Sequence, residues 1–432
     1  VKLSSVRKLK SLSQRQRRVF LTVSVAGFFN NYDGALLSLA IKQIQQGLKV
    51  SETTVGRMAS VITLGTLLAP FITSQADRRG RRKLLLVTFG LTSLLSGLTA
   101  FSWNASTFVV LKFLTITFSA AEGSIAMVML VEEVNADVRG LAVGLLVAIA
   151  AGGFGLAAIG FGIIPIFPFG WRGLFALAFI PLLLIIPLWK LLPESSRYES
   201  SSKAMTPGNF LDPFRALLTS YPERFIMVSA VMFLNAMGGT PGGLLQSKYL
   251  QEVHGWMPSR VSTLILTGGA IGILGNIVAG HLSDLFGRRI LGTIVMIVAP
   301  VLGVLFFNSS GEIMVVAWVM SLFAQTAAST ILNAFSAELF PTSHRSTAES
   351  AIAVAGTLGG SAGLLMESMI YSRLGNHWRT VSFLMLASVV AAIVMIIFFP
   401  ETASAELDEI SPERSLIWRR NRRRAAAQKK SA

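Results

Sequence analysis

Apolar residues in this chain gather into runs that are too long for an ordinary buried helix and do not alternate like strands. Twelve runs of about 18–25 residues, the length that carries a helix across some 30 Å of hydrocarbon, fall near 18–43, 55–76, 84–103, 106–131, 140–165, 173–192, 224–247, 260–282, 290–308, 312–337, 346–370 and 379–399. Helices satisfy their own backbone polar groups inside a bilayer, and the period-two pattern of a barrel wall is missing from these runs. The sequence therefore predicts an all-α integral membrane protein with twelve transmembrane helices. Polar residues are confined to the gaps, and the longest gap, 193–223, reads as a linker rather than a domain. The expected organisation is a basic tail (1–17), a six-helix bundle (18–192), the linker, a second six-helix bundle (224–400) and a second basic tail (401–432).

The polar landmarks occur twice. Asp77-Arg78-Arg79-Gly80-Arg81-Arg82 is echoed by Asp284-Leu285-Phe286-Gly287-Arg288-Arg289, a spacing of 207 residues. Glu132 and Arg139 return as Glu338 and Arg345 at a spacing of 206, and Trp171-Arg172 and Pro193-Glu194 return as Trp378-Arg379 and Pro400-Glu401 at 207. One spacing shared by unrelated landmarks signals a duplicated unit. The two bundles are thus expected to be pseudo-symmetric.

Composition agrees: 52% of the 432 residues are hydrophobic and only 14% charged, against about 25% charged in soluble domains. The net charge of +16 suggests nucleic acid until its distribution is considered. With twelve spans, most Lys and Arg fall on one face of the membrane, in the N-terminal tail, the 78–83 turn and the Arg419–Lys430 cluster. This positive-inside bias places both termini in the cytoplasm, and the basic tails suit an anionic inner leaflet rather than phosphodiesters. Plasma or inner membrane is the expected location, with no cleavable signal peptide. Zero cysteines rule out disulfides and thiolate metal sites. His254, His281, His344 and His377 are scattered without metal-ligand spacing, and there is no phosphate-binding Gly-x-x-x-x-Gly-Lys-Ser/Thr. Neither an enzyme, a cofactor nor direct use of ATP is expected.

The duplicated six-helix plan with Asp-Arg-x-Gly-Arg-Arg between the second and third spans resembles the major facilitator superfamily over nearly the whole chain. Glu132 to Arg139-Gly140 and Glu338-Leu339-Phe340-Pro341 to Arg345 are similar to its Glu-x-x-Pro-x-x-x-Arg signature, with Asn135 in place of the first Pro. Pro193-Glu194-Ser195-Ser196-Arg197 resembles the segment closing each half in sugar-porter-like members. Asn30-Asn31-Tyr32-Asp33-Gly34 resembles the Asp-Gly-Tyr-Asp stretch of aromatic-acid/proton symporters. Lys112-Phe113-Leu114-Thr115 with Glu122 resembles the Arg-Phe-Leu-Thr…Gly-Gly-Glu segment of metabolite/proton symporters. The resemblance implies two bundles rocking about a midplane cavity, with the first, fourth, seventh and tenth spans lining it.

Ionisable residues within the spans cost about 2.5–3.5 kcal/mol each on insertion scales, so each is a functional suspect. They are Asp33 in the first span, Glu122 in the fourth and Glu367 in the eleventh. A carboxyl there can load a proton on one face and release it on the other, or it can be a permanently protonated hydrogen-bonding group. No Lys or Arg is expected at the depth of Asp33 or Glu122, because Lys112 counts as nearer the outer end of the fourth span. Asn30, Asn31, Tyr32, Asn235, Gln325 and Asn333 are candidate cavity walls or interhelical glue. Asp77, Arg81, Glu132, Arg139, Asp284, Arg288, Glu338 and Arg345 are candidate cytoplasmic gate residues, forming charge-assisted contacts with helix ends in one orientation of the halves. The expected activity is alternating-access transport by a monomer, as proton-coupled symport of a small organic carboxylate or related metabolite. The alternatives are a proton-coupled antiporter of organic cations or drugs, or a sugar transporter.

Overall fold

The computed structural model describes residues 12–76, 80–194, 212–341 and 344–403. Every regular element among them is helical. Twelve long helical rods follow one another: α1 Gln14–Leu39, α2 Glu52–Thr73, α3 Arg81–Thr99, α4 Ala105–Glu133, α5 Ala136–Gly162, α6 Trp171–Leu191, α7 Pro222–Glu252, α8 Pro258–Phe286, α9 Arg288–Asn308, α10 Gly311–Glu338, α11 Arg345–Leu374 and α12 His377–Phe398. Ten are long and apolar enough to cross a membrane. The other two are diluted by polar residues: Arg15, Arg17, Arg18, Asn30, Asn31 and Asp33 in α1, and Arg81-Arg82-Lys83 with several Ser and Thr in α3. Short helices Ile41–Leu48 and Asp212–Ser220 lie between the rods.

The ends of the rods have local causes. α1 begins in a capping box, with the Ser13 side chain accepting from the Gln16 backbone N–H and Gln16 reaching back to Ser13. α4 begins where Asn104 accepts from the Thr107 N–H. The expected first span, 18–43, is broken at Ala40, so α1 stops at Leu39 and the chain turns into Ile41–Leu48. Inside the rods, hydroxyls such as Thr22, Thr88, Thr99 and Thr115 donate back to carbonyls four residues earlier, so they meet hydrocarbon already satisfied.

The chain forms two compact units. The first comprises Val1–Pro207, Thr240–Thr267 and Ser361–Thr380, and the second Gly208–Gly239, Gly268–Gly360 and Val381–Ala432. The first has a core built on Val19, Val23, Phe89, Met129 and Leu130. A smaller cluster of Ile41, Val55, Ala59, Leu244 and Leu364 lies toward one end of the same unit. The second packs around Val231, Met296, Ile331, Phe335 and Met395.

The duplication predicted from the landmarks reappears as contacts. In the first unit Arg81 pairs with Glu132, Gly80 adopts a φ of 89°, and Glu194 Oε1 accepts the Arg82 backbone N–H at 3.0 Å. In the second Arg288 pairs with Glu338, Gly287 adopts a φ of 93°, and Glu401 accepts the Arg288 and Arg289 backbone N–H groups at 2.7 and 3.2 Å. Both positive-φ positions need glycine, and each acid satisfies donors exposed at a helix start.

Close helix approach is repeated too. A Cβ on Gly153 of α5 would sit 1.8 Å from the Phe28 carbonyl oxygen of α1; one on Gly359 of α11 would sit 2.1 Å from that of Phe233 in α7. Backbone therefore meets backbone at both places, as small residues allow in membrane helices. Gly153→Val and Gly359→Val should each lower stability by about 1–3 kcal/mol or more through overpacking, read as a lower unfolding temperature of the purified protein in detergent. Gly144→Ala, where nothing lies within 4 Å of an added Cβ, should leave that temperature unchanged.

Candidate functional site

Asp33 sits on α1 six residues before the helix ends, and Lys112 sits on α4 seven residues after that helix begins. At about 1.5 Å per residue the two lie at the same depth from that end of the unit, and they meet. Lys112 Nζ donates to Asp33 Oδ1 at 3.0 Å and to Oδ2 at 2.9 Å. This corrects the expectation that no cation neutralises Asp33. That expectation carried α1 through to residue 43, which set Asp33 several ångströms too deep; the break at Ala40 brings it level with Lys112.

The pair is sealed. Asp33 is 5% and Lys112 3% exposed. Ser96 Oγ of α3 donates to Asp33 Oδ1, and the Lys112 ammonium lies 5.1 Å from the centre of the Phe175 ring of α6. A buried pair that loses one partner leaves an uncompensated charge, at a cost of about 3–5 kcal/mol.

Glu122 of α4 is 1% exposed, with Thr92 of α3 and Asn30 of α1 beside its carboxyl. Phe29, Asn30, Tyr32, Asp33, Ser93, Ser96 and Glu122 line one small cleft within the first unit, closed by Phe89, Ala178 and Pro181. Asp33 and Glu122, 89 positions apart in the chain, thus line the same cleft. Asn30 Nδ2 donates to the Ser119 carbonyl at 2.8 Å and the Tyr32 hydroxyl donates to the Leu174 carbonyl at 2.8 Å, so both also tie helices together. Asn31 is exposed and donates to the Gly27 carbonyl of its own helix.

The other sequence-predicted residues lie elsewhere. Asn235, Gln325 and Asn333 belong to the second unit: Asn235 is half-buried, with its carbonyl accepting from Ser388 Oγ at 3.3 Å, while Gln325 and Asn333 are exposed. Arg81, Glu132, Arg288 and Glu338 form the repeated pairs described above, each within its own unit. Asp284 Oδ1 accepts from Arg288 Nη2 at 3.1 Å; Arg139 is exposed and Arg345 half-buried. Asp77 falls outside the described residues, as do most of the N-terminal tail, residues 195–211 of the linker, and the tail from 404 onward.

Glu367 does not join the Asp33 cleft. It is 1% exposed on α11 and contacts His377 Nδ1 at the start of α12. The scattered-histidine reading missed this, because His377 gains its partners only through helix packing. Its Nε2 lies 2.9 Å from Glu52 Oε2, and Glu52 pairs with Lys248, which is fully buried.

Comparison with known proteins fits this architecture. The chain is 25% identical over 397 residues to the putative niacin/nicotinamide transporter NiaP of Bacillus subtilis, covering 91% of this chain and 98% of that one. It is 27% identical to the gallate transporter of Pseudomonas putida, covering 80% and 83%. It is 24% identical to the human organic cation/carnitine transporter 2, covering 81% and 67%. The inward-open xylose transporter XylE of E. coli superposes with a TM-score of 0.74 at 18% identity, covering 91% of this chain and 99% of that one. The nucleoside transporter NupG superposes at 0.75 and 12%, covering 88% and 100%. The sequence profile of the Major Facilitator Superfamily matches residues 23–289 and 227–426. With twelve helical rods, contacts repeated at the spacing of its landmarks and this match along its length, the chain belongs to the major facilitator superfamily and is a multi-pass membrane transporter.

Proposed function

We propose that this transporter is a proton-coupled symporter of small organic carboxylates. The observation that carries the reading is the buried Lys112–Asp33 pair in a cleft that also holds Glu122. Lys112 is a cation that a substrate carboxylate can engage, and Asp33 is the anion that occupies it in the absence of substrate. A proton taken up by Asp33 frees the ammonium, a carboxylate replaces Asp33 on it, and no unpaired charge crosses hydrocarbon when the loaded carrier reorients. Glu122, beside Asn30 and Thr92, is a second proton acceptor in the same cleft. Relatives named for gallate, benzoate and cis,cis-muconate, all carboxylates, support the substrate class.

A second reading rests on the excess of acid at the cleft: it is lined by two carboxyls, Asp33 and Glu122, and Lys112 pairs with only the first. That balance suits an organic cation taken in exchange for protons, and relatives named for organic cations and carnitine agree with it.

Proteoliposomes with an alkaline interior separate the two. Entry of labelled benzoate or nicotinate, accompanied by alkalinisation outside, is the expected result; acidification outside driven by an inward organic cation favours the exchanger. Asp33→Asn and Glu122→Gln should each abolish accumulation against a gradient while sparing exchange of labelled for unlabelled substrate. Normal accumulation by both would remove the coupling role. Lys112→Gln should raise the KM for a carboxylate by about 10- to 100-fold, the loss of about 1.5–3 kcal/mol in charge-assisted binding. It should also destabilise the protein more than the double variant Asp33→Asn/Lys112→Gln does, because only the single change strands a buried charge.

A further inference from the structure

At the end of the first unit opposite the Arg81–Glu132 pair, five helices bring together a polar cluster that the transport reading does not use. Lys248 of α7, fully buried, donates to Gln45 Oε1 at 2.6 Å and pairs with Glu52 at the start of α2. Glu252, one turn on from Lys248, lies 3.9 Å from its ammonium. His377 of α12 sits between two carboxylates, with Nδ1 against Glu367 Oε1 of α11 and Nε2 2.9 Å from Glu52 Oε2. The Tyr371 ring stacks on the imidazole at 3.7 Å between centres. Asn376 accepts the backbone N–H groups of Trp378 and Arg379 at 3.0 Å each, fixing the turn that presents His377. The close approach of α11 to α2 depends on Gly56, where a Cβ would lie 2.9 Å from Glu367 Oε2.

The chemistry of the imidazole sets the proton count. A neutral ring has one N–H donor and one lone pair, and both of its nitrogens here face carboxylate oxygens. One of the two contacts would be repulsive unless an extra proton lies within the Glu367–His377–Glu52 chain. With that proton, Lys248 and His377 balance Glu52 and Glu367. Without it, the buried Glu367 and the part-exposed Glu52 share one ammonium and a lone pair opposes one of them. The other charged groups in reach are Glu252, which adds negative charge, and Lys42, which faces Glu252 and the Gln251 carbonyl. Tyr371 is the remaining titratable group against the ring.

We propose that Glu52, Glu367 and His377 form a proton-binding latch, separate from the Asp33 cleft, that ties α2 to α11 and α12 when protonated and releases them when the proton leaves. The latch links helices from the two sequence halves, since α2 belongs to the first and α11 and α12 to the second. Its release lets this end of the unit open. Opening that gives up one proton is disfavoured at low pH and gains up to about tenfold per pH unit through the window of release.

The native chain contains no cysteine, so single reporters can be read directly and without any substrate. Ser60 of α2 is 5% exposed and lies about 12 Å along the helix from Glu52. A membrane-impermeant maleimide is applied to sealed vesicles carrying S60C, from pH 5.5 to 8.5. The exposed Met257, five residues after Glu252, as M257C, reports which face is labelled and normalises thiol reactivity at each pH. The expected ratio of S60C to M257C labelling is low in acid and climbs by up to tenfold per unit. His377→Gln, which cannot take the proton, should give a high ratio at every pH. Glu367→Gln lets a neutral imidazole accept from the amide and donate to Glu52, and should give a low ratio at every pH. A parental pH slope persisting in either variant overturns the proposal, and A59C repeats the measurement at a neighbouring buried site if S60C does not fold.

Discussion

A charge carried into hydrocarbon has to be answered by another charge or by a proton, and the polar interior of this protein is organised around that requirement. Asp33 is answered by Lys112 across two helices, Glu52 by Lys248, and Glu367 by His377. Glu122 has the amide of Asn30 and the hydroxyl of Thr92 beside it, in a cleft it shares with Asp33. In water such pairs are worth little, because solvent screens them. In a low-dielectric interior the cost of leaving one member alone is several kcal/mol. The same cost that makes these residues rare makes them switchable, since a proton or a charged solute can take one partner's place.

The two sites answer the requirement in different ways. The Asp33 cleft holds a primary amine against a carboxylate, an arrangement in which a second carboxylate can compete. The His377 cluster holds an imidazole between two carboxylates, which leaves no role for a solute but makes the contact conditional on a proton. The first suits cargo and the second suits a gate. Both lie in the first unit, which combines residues of the N-terminal half with the Thr240–Thr267 and Ser361–Thr380 segments.

Duplication is visible at three levels: spacing in the sequence, rods in the fold and contacts between them. The Arg81–Glu132 and Arg288–Glu338 pairs, the positive-φ glycines at 80 and 287, and the Gly153–Phe28 and Gly359–Phe233 approaches are the same devices used twice. The repetition is incomplete at the Asp33 cleft. The first half has Asp33, Lys112 and Glu122 in its α1 and α4. The positions 207 residues later, Thr240, Val319 and Ser329, contain no ionisable group.

Hydropathy alone determined the helices, their number and the membrane environment, because apolar length is a local property and the bilayer thickness is fixed. It also singled out Asp33, Glu122 and Glu367, since an ionisable residue in an apolar run stands out without a structure. The partners were a different matter. Lys112 was legible in principle, but its level with Asp33 depended on a helix break at Ala40 that no strong turn residue announces. Lys248 and His377 were not legible at all, because each is near the end of its span and looks solvated when read singly. Only the packing of α2, α7, α11 and α12 brings residues more than 300 positions apart, such as Glu52 and His377, within hydrogen-bond reach. The sequence fixes where a charge is costly, since that depends on its own neighbours along the chain; tertiary structure decides what answers it, since that depends on helices meeting side by side.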